Sequence, residues 1–310
     1  MTRHPAQLPE DGAVVFRADS IPAPSGTDLS AAVGAVIIPA HDEAGVIART
    51  LRSLERLRAT PGVEVIVVCN GCTDDTARVA RGFDGVRVDE IAQASKIAAL
   101  NHGDEIATTW PRIYLDADIE VDPASIVAVF DAIAAGHVIA ARPSFVYDAI
   151  GASIPVRSYY RARSRIPAPP RRLWGAGGYA TGERGHARFG QFATVTADDS
   201  WFDAQFSDDE KTVVRTSPMR VRTPRDVAGL LAVLARQRRG YLELGISSHA
   251  GSRGRSLLAS IRGPRSALDV GWYTLLTVMS RRRAERAMRM RGTRDWERDG
   301  SSRESGEGVL

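Results

Sequence analysis

The pattern of hydrophobic and polar positions along this 310-residue chain changes near Val33. Before that point Pro, Ala, Asp and Ser recur without a period, and residues 1–32 read as a flexible lead-in. VGAVIIP (Val33–Pro39) is then a continuous apolar run, as expected of a strand buried on both faces. In DEAGVIARTLRSLERLR (Asp42–Arg58), Val46, Ile47, Leu51, Leu54 and Leu57 fall on one helical face. VEVIVV (Val63–Val68) predicts a second buried strand, and TDDTARVAR begins a second helix. VRVD (Val86–Asp89), SKIAALNHGDEIA (Ser95–Ala107) and RIYLD (Arg112–Asp116) continue as strand, helix and strand. A helix over Pro123–Ala135 and a strand over His137–Ala141 follow. Strands alternating with helices at this spacing imply an α/β fold with a mostly parallel central sheet and right-handed crossovers.

The alternation stops over Ser144–Gly190, which is rich in Arg, Gly, Pro and Tyr. One more helix is expected over Pro224–Arg239. The expected organisation is a sheet domain over residues 33–245, a C-terminal helical extension over 246–295 and a disordered tail over 296–310.

Composition narrows the class. Hydrophobic residues make up 44% and charged residues 25%, so the chain can bury a proper core. It has two cysteines, three positions apart, which is not a secreted disulfide framework. The first twenty residues lack a signal-peptide apolar core, and no stretch is long enough to span a bilayer. These features suit a cytoplasmic protein. The net charge is +4, with the excess in arginine, whose planar fork suits phosphate and carboxylate. The basic residues are spread out and lack interleaved aromatics, which argues against nucleic acid as a partner.

Ligands of open parallel sheets bind beyond the carboxyl ends of the strands. After the first strand come Pro39, Ala40, His41, Asp42 and Glu43; after the second come Asn70, Gly71, Cys72, Thr73, Asp74 and Asp75. After the fourth comes Asp116-Ala117-Asp118, whose two carboxylates leave the strand on the same side. Carboxylates so close repel unless a cation lies between them, and Mg2+ or Mn2+ shared with substrate phosphates is the usual arrangement. The plainer reading is a solvated acidic turn. Asp198 and Asp199 form a second acidic pair, among Phe192, Val195, Trp201, Phe202 and Phe206. Burial there would raise a carboxyl pKa and poise it as a general base. A helix-capping role is the better reading of that pair in isolation.

Six segments in order carry a resemblance: VIIPAHDEAGVIARTLRSL, VVCNGCTDDTARVA, SKIAALN, YLDADIEVD, GAGGYATGERGHARFG and TADDSWF. Together they resemble the bacterial family-2 inverting glycosyltransferases of the GT-A fold, over about residues 33–240. The resemblance implies a Rossmann-like sheet flanked by helices, a divalent metal, a UDP- or GDP-type sugar donor and a hydroxyl acceptor of saccharide or lipid-linked type. It places Pro39, His41, Asp42 and Glu43 along the nucleotide pocket. Asn70 stands where many members carry a base-contacting Asp, which leaves uracil or guanine open. Lys96 and Asn101 would lie near the ribose or diphosphate. Asp116, Ala117 and Asp118 would be the D-x-D, with Asp118 the direct metal ligand and Asp116 beside it. Gly177 and Gly178, in the segment Gly175–Gly178, would form the wall under the sugar. Asp199 matches the catalytic base, with Asp198 beside it. The family's C-terminal Q-x-x-R-W pattern is not met, since the chain reads Arg236-Gln237-Arg238-Arg239-Gly240-Tyr241. Transfer of a single sugar, in cell-surface glycan or glycolipid synthesis, is therefore the expected reaction. A retaining transferase and a silent sugar-nucleotide-binding scaffold are the alternatives.

Two further patterns compete with this reading. Cys69 and Cys72 match the C-x-x-C of redox dithiols, but their place at a strand-to-helix turn suits a nucleotide loop instead. GAGGYA matches a dinucleotide fingerprint, but PAPPRRLW before it is no strand. Near the C-terminus, ALDVGWYTLLTVMS (Ala267–Ser280) precedes Arg281, Arg282, Arg283, Arg286, Arg289 and Arg291. Two readings of 267–291 stand: a helix packed on the protein with a solvated arginine tail, which is favoured, and a peripheral contact with an anionic inner-membrane face.

Overall fold

The computed structural model describes residues 13–15, 20–22, 29–167, 169, 171–246 and 250–289. Nine strands occur among them: β1 (Ala13–Val15), β2 (Ser20–Pro22), β3 (Gly34–Ala40), β4 (Val63–Asn70), β5 (Val86–Ile91), β6 (Arg112–Leu115), β7 (Ala140–Asp148), β8 (Gly178–Thr181) and β9 (Lys211–Arg222). Their order is β2-β9-β7-β8-β6-β3-β4-β5, with β1 attached to β7. The β6-β3-β4-β5 half is parallel, and β8 enters antiparallel against both β6 and β7. This is the α/β, GT-A type of architecture, with a mostly parallel sheet, flanking helices and C-terminal helices.

The runs Val33–Pro39 and Val63–Val68 become β3 and β4, the inner parallel strands, where every residue of β3 is buried. Ile37, Ile66 and Val68 pack with Ile97 and Leu100 of the helix Lys96–Ile106, and with Tyr114, Phe192, Phe202 and Phe206. The expected helix Asp42–Arg58 is two shorter ones, Ile47–Ser53 and Glu55–Arg58, joined at Leu54. Residues 42–46 are not helical because Asp42 and Glu43 are committed to the neighbouring loop, as described below.

Three differences from the sequence reading have physical causes. The strand expected over His137–Ala141 is β7, shifted to Ala140–Asp148. It contains the buried Arg142, whose Nε donates to the Arg172 carbonyl at 2.7 Å and whose guanidinium lies over Phe145. Burial of a paired arginine breaks the apolar pattern that marks a strand. Within the span read as a flexible lead-in, Ala13–Val15 and Ser20–Pro22 are strands, paired to β7 and β9. Their pairing comes from partners about 130 to 200 residues away, which no local pattern announces.

The third difference is the division of the chain. The larger unit is built from Ala18–Phe145 and Pro169–Val221; the smaller is built around Val146–Ala168 and the chain from Arg222 onward. The sequence reading instead divides the chain near residue 245. The helix Ile154–Arg165 groups with the helices Val227–Glu243 and Pro264–Arg289 because its Val156, Tyr159 and Tyr160 share a core with Leu230, Val270, Tyr273 and Leu276. The tail expected over 296–310 lies outside the described residues. Among the described residues no helix is long and apolar enough to cross a membrane.

Candidate active site

The carboxyl end of β6 and the amino ends of β8 and of the helix Lys96–Ile106 converge in the larger unit. Asp116 follows β6, and its backbone N–H donates to the Gly177 carbonyl at 2.7 Å. Thr50, fully buried, donates its hydroxyl to the Ala117 carbonyl at 2.7 Å. The D-x-D turn is thus held by backbone bonds on both sides, which leaves its carboxylates outside the hydrogen-bond ladder. Gly177 has φ +68°, and a Cβ there would come within 2.6 Å of Ile119 Cδ1 and 3.3 Å of Asp116 Oδ2. Only glycine suits that close approach. Gly178 differs: it lies inside β8, and a Cβ there would meet Met219 and Leu115.

Lys96 opens its helix just after the capping Ser95, whose hydroxyl accepts from the Ala98 N–H. Its Nζ lies 2.7 Å from Asp116 Oδ1 and 2.9 Å from Asp198 Oδ2. Desolvation pulls this ammonium down, but Asp116 and Asp198 more than offset it and hold Lys96 above its ordinary value. Burial, then the charges of Asp198 and Asp118, raise the Asp116 carboxyl despite the opposing pull of Lys96.

Asp198 and Asp199 open the short helix Asp198–Asp203. They divide sharply in environment. Asp198 is buried and its Oδ2 also accepts from the Tyr179 hydroxyl at 2.7 Å. Asp199 is half-buried; its Oδ2 accepts from the Gly175 N–H at 2.6 Å and its Oδ1 from the Ser200 N–H at 2.6 Å. Burial, then the neighbouring Asp198 charge, raises the Asp199 carboxyl. One carboxylate is locked among fixed partners, while the other is oriented by backbone amides and reachable from solvent.

A second cluster forms where β3 and β4 end. Asp42 adopts φ +49°, and its Oδ1 accepts from the Thr73 N–H at 2.6 Å. Glu43 N–H donates to Thr76 Oγ1 at 2.7 Å, and His41 Nδ1 is 2.6 Å from the Asn70 carbonyl. These bonds clamp the first loop to the second. Asn70 is buried, and its side-chain nitrogen has no hydrogen-bond partner among the described residues. Asp74, just ahead of the helix Thr76–Arg81, accepts from the Thr76 N–H at 3.0 Å. Burial raises both thiols of the C-x-x-C, Cys69 to about 12, which is opposite to the thiolate a redox dithiol needs.

Two positions from the sequence reading stand apart. Asn101 uses both ends of its amide on Phe192: Nδ2 donates to its carbonyl at 3.3 Å and Oδ1 accepts from its N–H at 2.7 Å. It anchors the loop leading to Asp198. Pro39 is a buried residue near the end of β3, directly before the loop that carries His41, Asp42 and Glu43. Tyr179 and Thr50 were not singled out by sequence reasoning. Each contributes one hydrogen bond to a functional segment from within a regular element, and no local motif marks that.

Residues 35–182 match the model of Glycosyl transferase family 2. That stretch, just under half of the chain, is a family 2 glycosyltransferase domain. The match covers the D-x-D and the glycine segment and ends before Asp198 and Asp199. No curated protein sequence is a significant match to this glycosyltransferase. Among solved structures it is similar to the mannosyltransferase PcManGT from Pyrobaculum calidifontis, in complex with GDP-Man and Mn2+. There the TM-score is 0.58 and the identity 17%, over 87% of this chain and 90% of that one. Glucosyl-3-phosphoglycerate synthase from Mycobacterium tuberculosis, in complex with Mn2+, UDP-Glc and phosphoglyceric acid, aligns with a TM-score of 0.52 and 16% identity. It covers 75% of this chain and 90% of that one. At these identities the likeness concerns the fold, and it agrees with the GT-A architecture of the family 2 domain.

Proposed function

We propose that this glycosyltransferase moves one sugar from a nucleotide-diphosphate sugar to a hydroxyl acceptor, with inversion at the anomeric carbon and with a divalent cation. The observation that carries the reading is the cluster of Asp116, Asp198 and Asp199 around the Lys96 ammonium, with Asp118 beside Asp116. The donor set fits a divalent ion: the Asp118 carboxylate has no hydrogen bond or cation partner among the described residues, and Asp116 beside it is only part-covered by Lys96. Asp118 and Asp116 would hold Mg2+ or Mn2+, whose chemistry when bound is to neutralise charge developing on a departing diphosphate. PcManGT and the M. tuberculosis synthase, both with Mn2+, support that choice.

The chain's own groups divide the remaining work. Asp199, aimed by the Gly175 and Ser200 amides, accepts the proton of the acceptor hydroxyl as it attacks. Asp198 stays fixed between Tyr179 and Lys96 and sets the electrostatic environment of the base. Gly177 lets the backbone pack closely against Ile119 and the D-x-D turn, under the place taken by the sugar. His41, Asp42, Glu43 and Asn70 form the floor of the nucleotide site, where the partnerless Asn70 amide can donate to a base carbonyl. The deciding test is calorimetric binding of UDP and GDP, each with and without Mn2+. One of them is expected to bind, and only with the cation; binding of neither by folded protein would overturn the reading. NMR of the product sets inversion against retention.

A separate prediction concerns Lys96. Lys96→Met leaves Asp116 and Asp198 without their shared counter-charge and is expected to cost about 1–3 kcal/mol of stability, read as a lower melting temperature. Mn2+ is expected to raise the melting temperature of the variant more than that of the wild type. An equal response in both proteins would show that Lys96 and the cation do not share these carboxylates.

A further inference from the structure

The helix Pro264–Arg289 is apolar on two faces, and only one of them is used by the smaller unit. On the inner face Val270, Tyr273 and Leu276 are buried, and Ser280 and Ala284 continue the line. Asp269 belongs to this face too: fully buried, it accepts from Arg161 Nη2 and Arg165 Nη2, each at 2.7 Å. Two of the helix Ile154–Arg165 arginines are therefore structural. The opposite face carries Leu268, Leu275, Val278 and Met279, between 40% and 55% exposed. At 3.6 residues per turn they fall within an arc of about 100°. Arg282 and Arg286 extend the same stripe. Just before the helix, Leu258 and Ile261 are also exposed.

The charges around this stripe have one sign. Over residues 254–286 the chain has seven arginines (Arg255, Arg262, Arg265, Arg281, Arg282, Arg283, Arg286) and two carboxylates, Asp269 and Glu285. Six of the arginines are exposed and Arg281 is half-buried, whereas Asp269 is fully buried and already paired. Glu285 is thus the single exposed carboxylate in the span.

We infer that this face seats the protein on an anionic lipid surface, with the exposed aliphatic side chains among the acyl chains and the arginines at the headgroups. The inference goes beyond the transfer reaction and does not depend on it. Its basis is the pairing of a flat aliphatic stripe with flanking cations, the pattern by which an interfacial helix binds lipid. A second copy of this chain is a poor occupant. A two-fold contact sets the same patch against itself and would bring arginines onto arginines. The stripe also lacks exposed aromatic anchors of the kind that dominate protein interfaces, since Trp272 and Tyr273 pack into the core. The helix lies on the surface and does not cross it, consistent with its hydropathy.

The experiment is co-sedimentation of the full chain with vesicles of phosphatidylcholine alone and of phosphatidylcholine mixed with phosphatidylglycerol. Binding is expected with the mixed vesicles only, and it should weaken as NaCl rises. Leu275→Ser with Met279→Ser is expected to lower binding more than about tenfold. Arg282→Gln and Arg286→Gln should each lower it about fivefold. All four positions are exposed, so circular dichroism and the melting temperature should match wild type. Wild-type protein that ignores phosphatidylglycerol, or variants that bind as wild type does, would overturn the inference. So would a wild-type dimer in light scattering that the Leu275/Met279 variant turns into a monomer, because the face would then be an interface between copies.

Discussion

Replacing Asp199 by Asn is expected to lower turnover by about 10²–10⁴-fold while leaving nucleotide binding close to wild type. The substitution keeps the shape of the side chain and its oxygen for the Gly175 or Ser200 amide, but removes the proton-accepting charge. Asp199 is half-buried at the edge of the cluster and the isosteric amide keeps a backbone partner, so the variant should fold. Asp198→Asn makes an informative contrast. That residue is buried against Tyr179 and Lys96, so its loss should show as a lower melting temperature as well as reduced rate. The pH profile supplies a second readout. Burial, then the Asp198 charge, raises the Asp199 carboxyl, and a general base acts only when deprotonated. Activity should therefore be full at high pH and fall as pH drops through a point above the ordinary carboxylate value of about 3.9. In Asp199→Asn that acid limb should disappear from the residual rate. A variant that keeps wild-type kcat, or one that loses nucleotide affinity along with rate, would remove Asp199 from the role of base.

Asp118→Ala is expected to abolish the Mn2+-dependent part of nucleotide binding, a loss of at least about tenfold or 1.4 kcal/mol. Asp118 is the one carboxylate of the group with no protein partner among the described residues, so its removal breaks no hydrogen bond or ion pair within the fold. Stability without metal should stay the same or rise slightly, because one charge near Asp116 is gone. That combination separates a ligand from a structural acid. Calorimetry with UDP and GDP, with and without Mn2+, reads the affinity; a thermal melt without metal reads the stability. Unchanged Mn2+ dependence would place the cation elsewhere or show that none is used. His41, Asp42 and Cys72 bring potential ligand atoms within 4.8 Å of one another, and they would be the next set to substitute.

Much of this was legible in the chain itself. The buried strands at Val33–Pro39 and Val63–Val68 declare themselves because a strand covered on both faces must be apolar at every position. The order of strands and helices and the acidic groups at the strand ends follow from the same local logic. Ser95 before Lys96 and Pro123 after Asp122 mark helix starts through capping chemistry that is local by nature. Elements held by distant or polar partners were not legible. Arg142 hides a strand, and the short strands near the N-terminus exist through pairing to β7 and β9.

The sequence by itself carried the family 2 resemblance, the alternating sheet and the four carboxylates as candidates. Tertiary structure decided how those carboxylates differ. Asp198 and Asp199 are adjacent and chemically identical along the chain, yet Tyr179 and Lys96 claim one while two backbone amides orient the other. Lys96 and Asn101 are five residues apart on one helix, yet one faces the acidic cluster and the other the Phe192 backbone. The exposed stripe of the helix Pro264–Arg289 was likewise invisible in an apolar run, because only packing shows which face is already covered. The reason is the same in each case: a side chain's charge state, partners and accessibility depend on neighbours brought close in space, and those neighbours are far away along the chain.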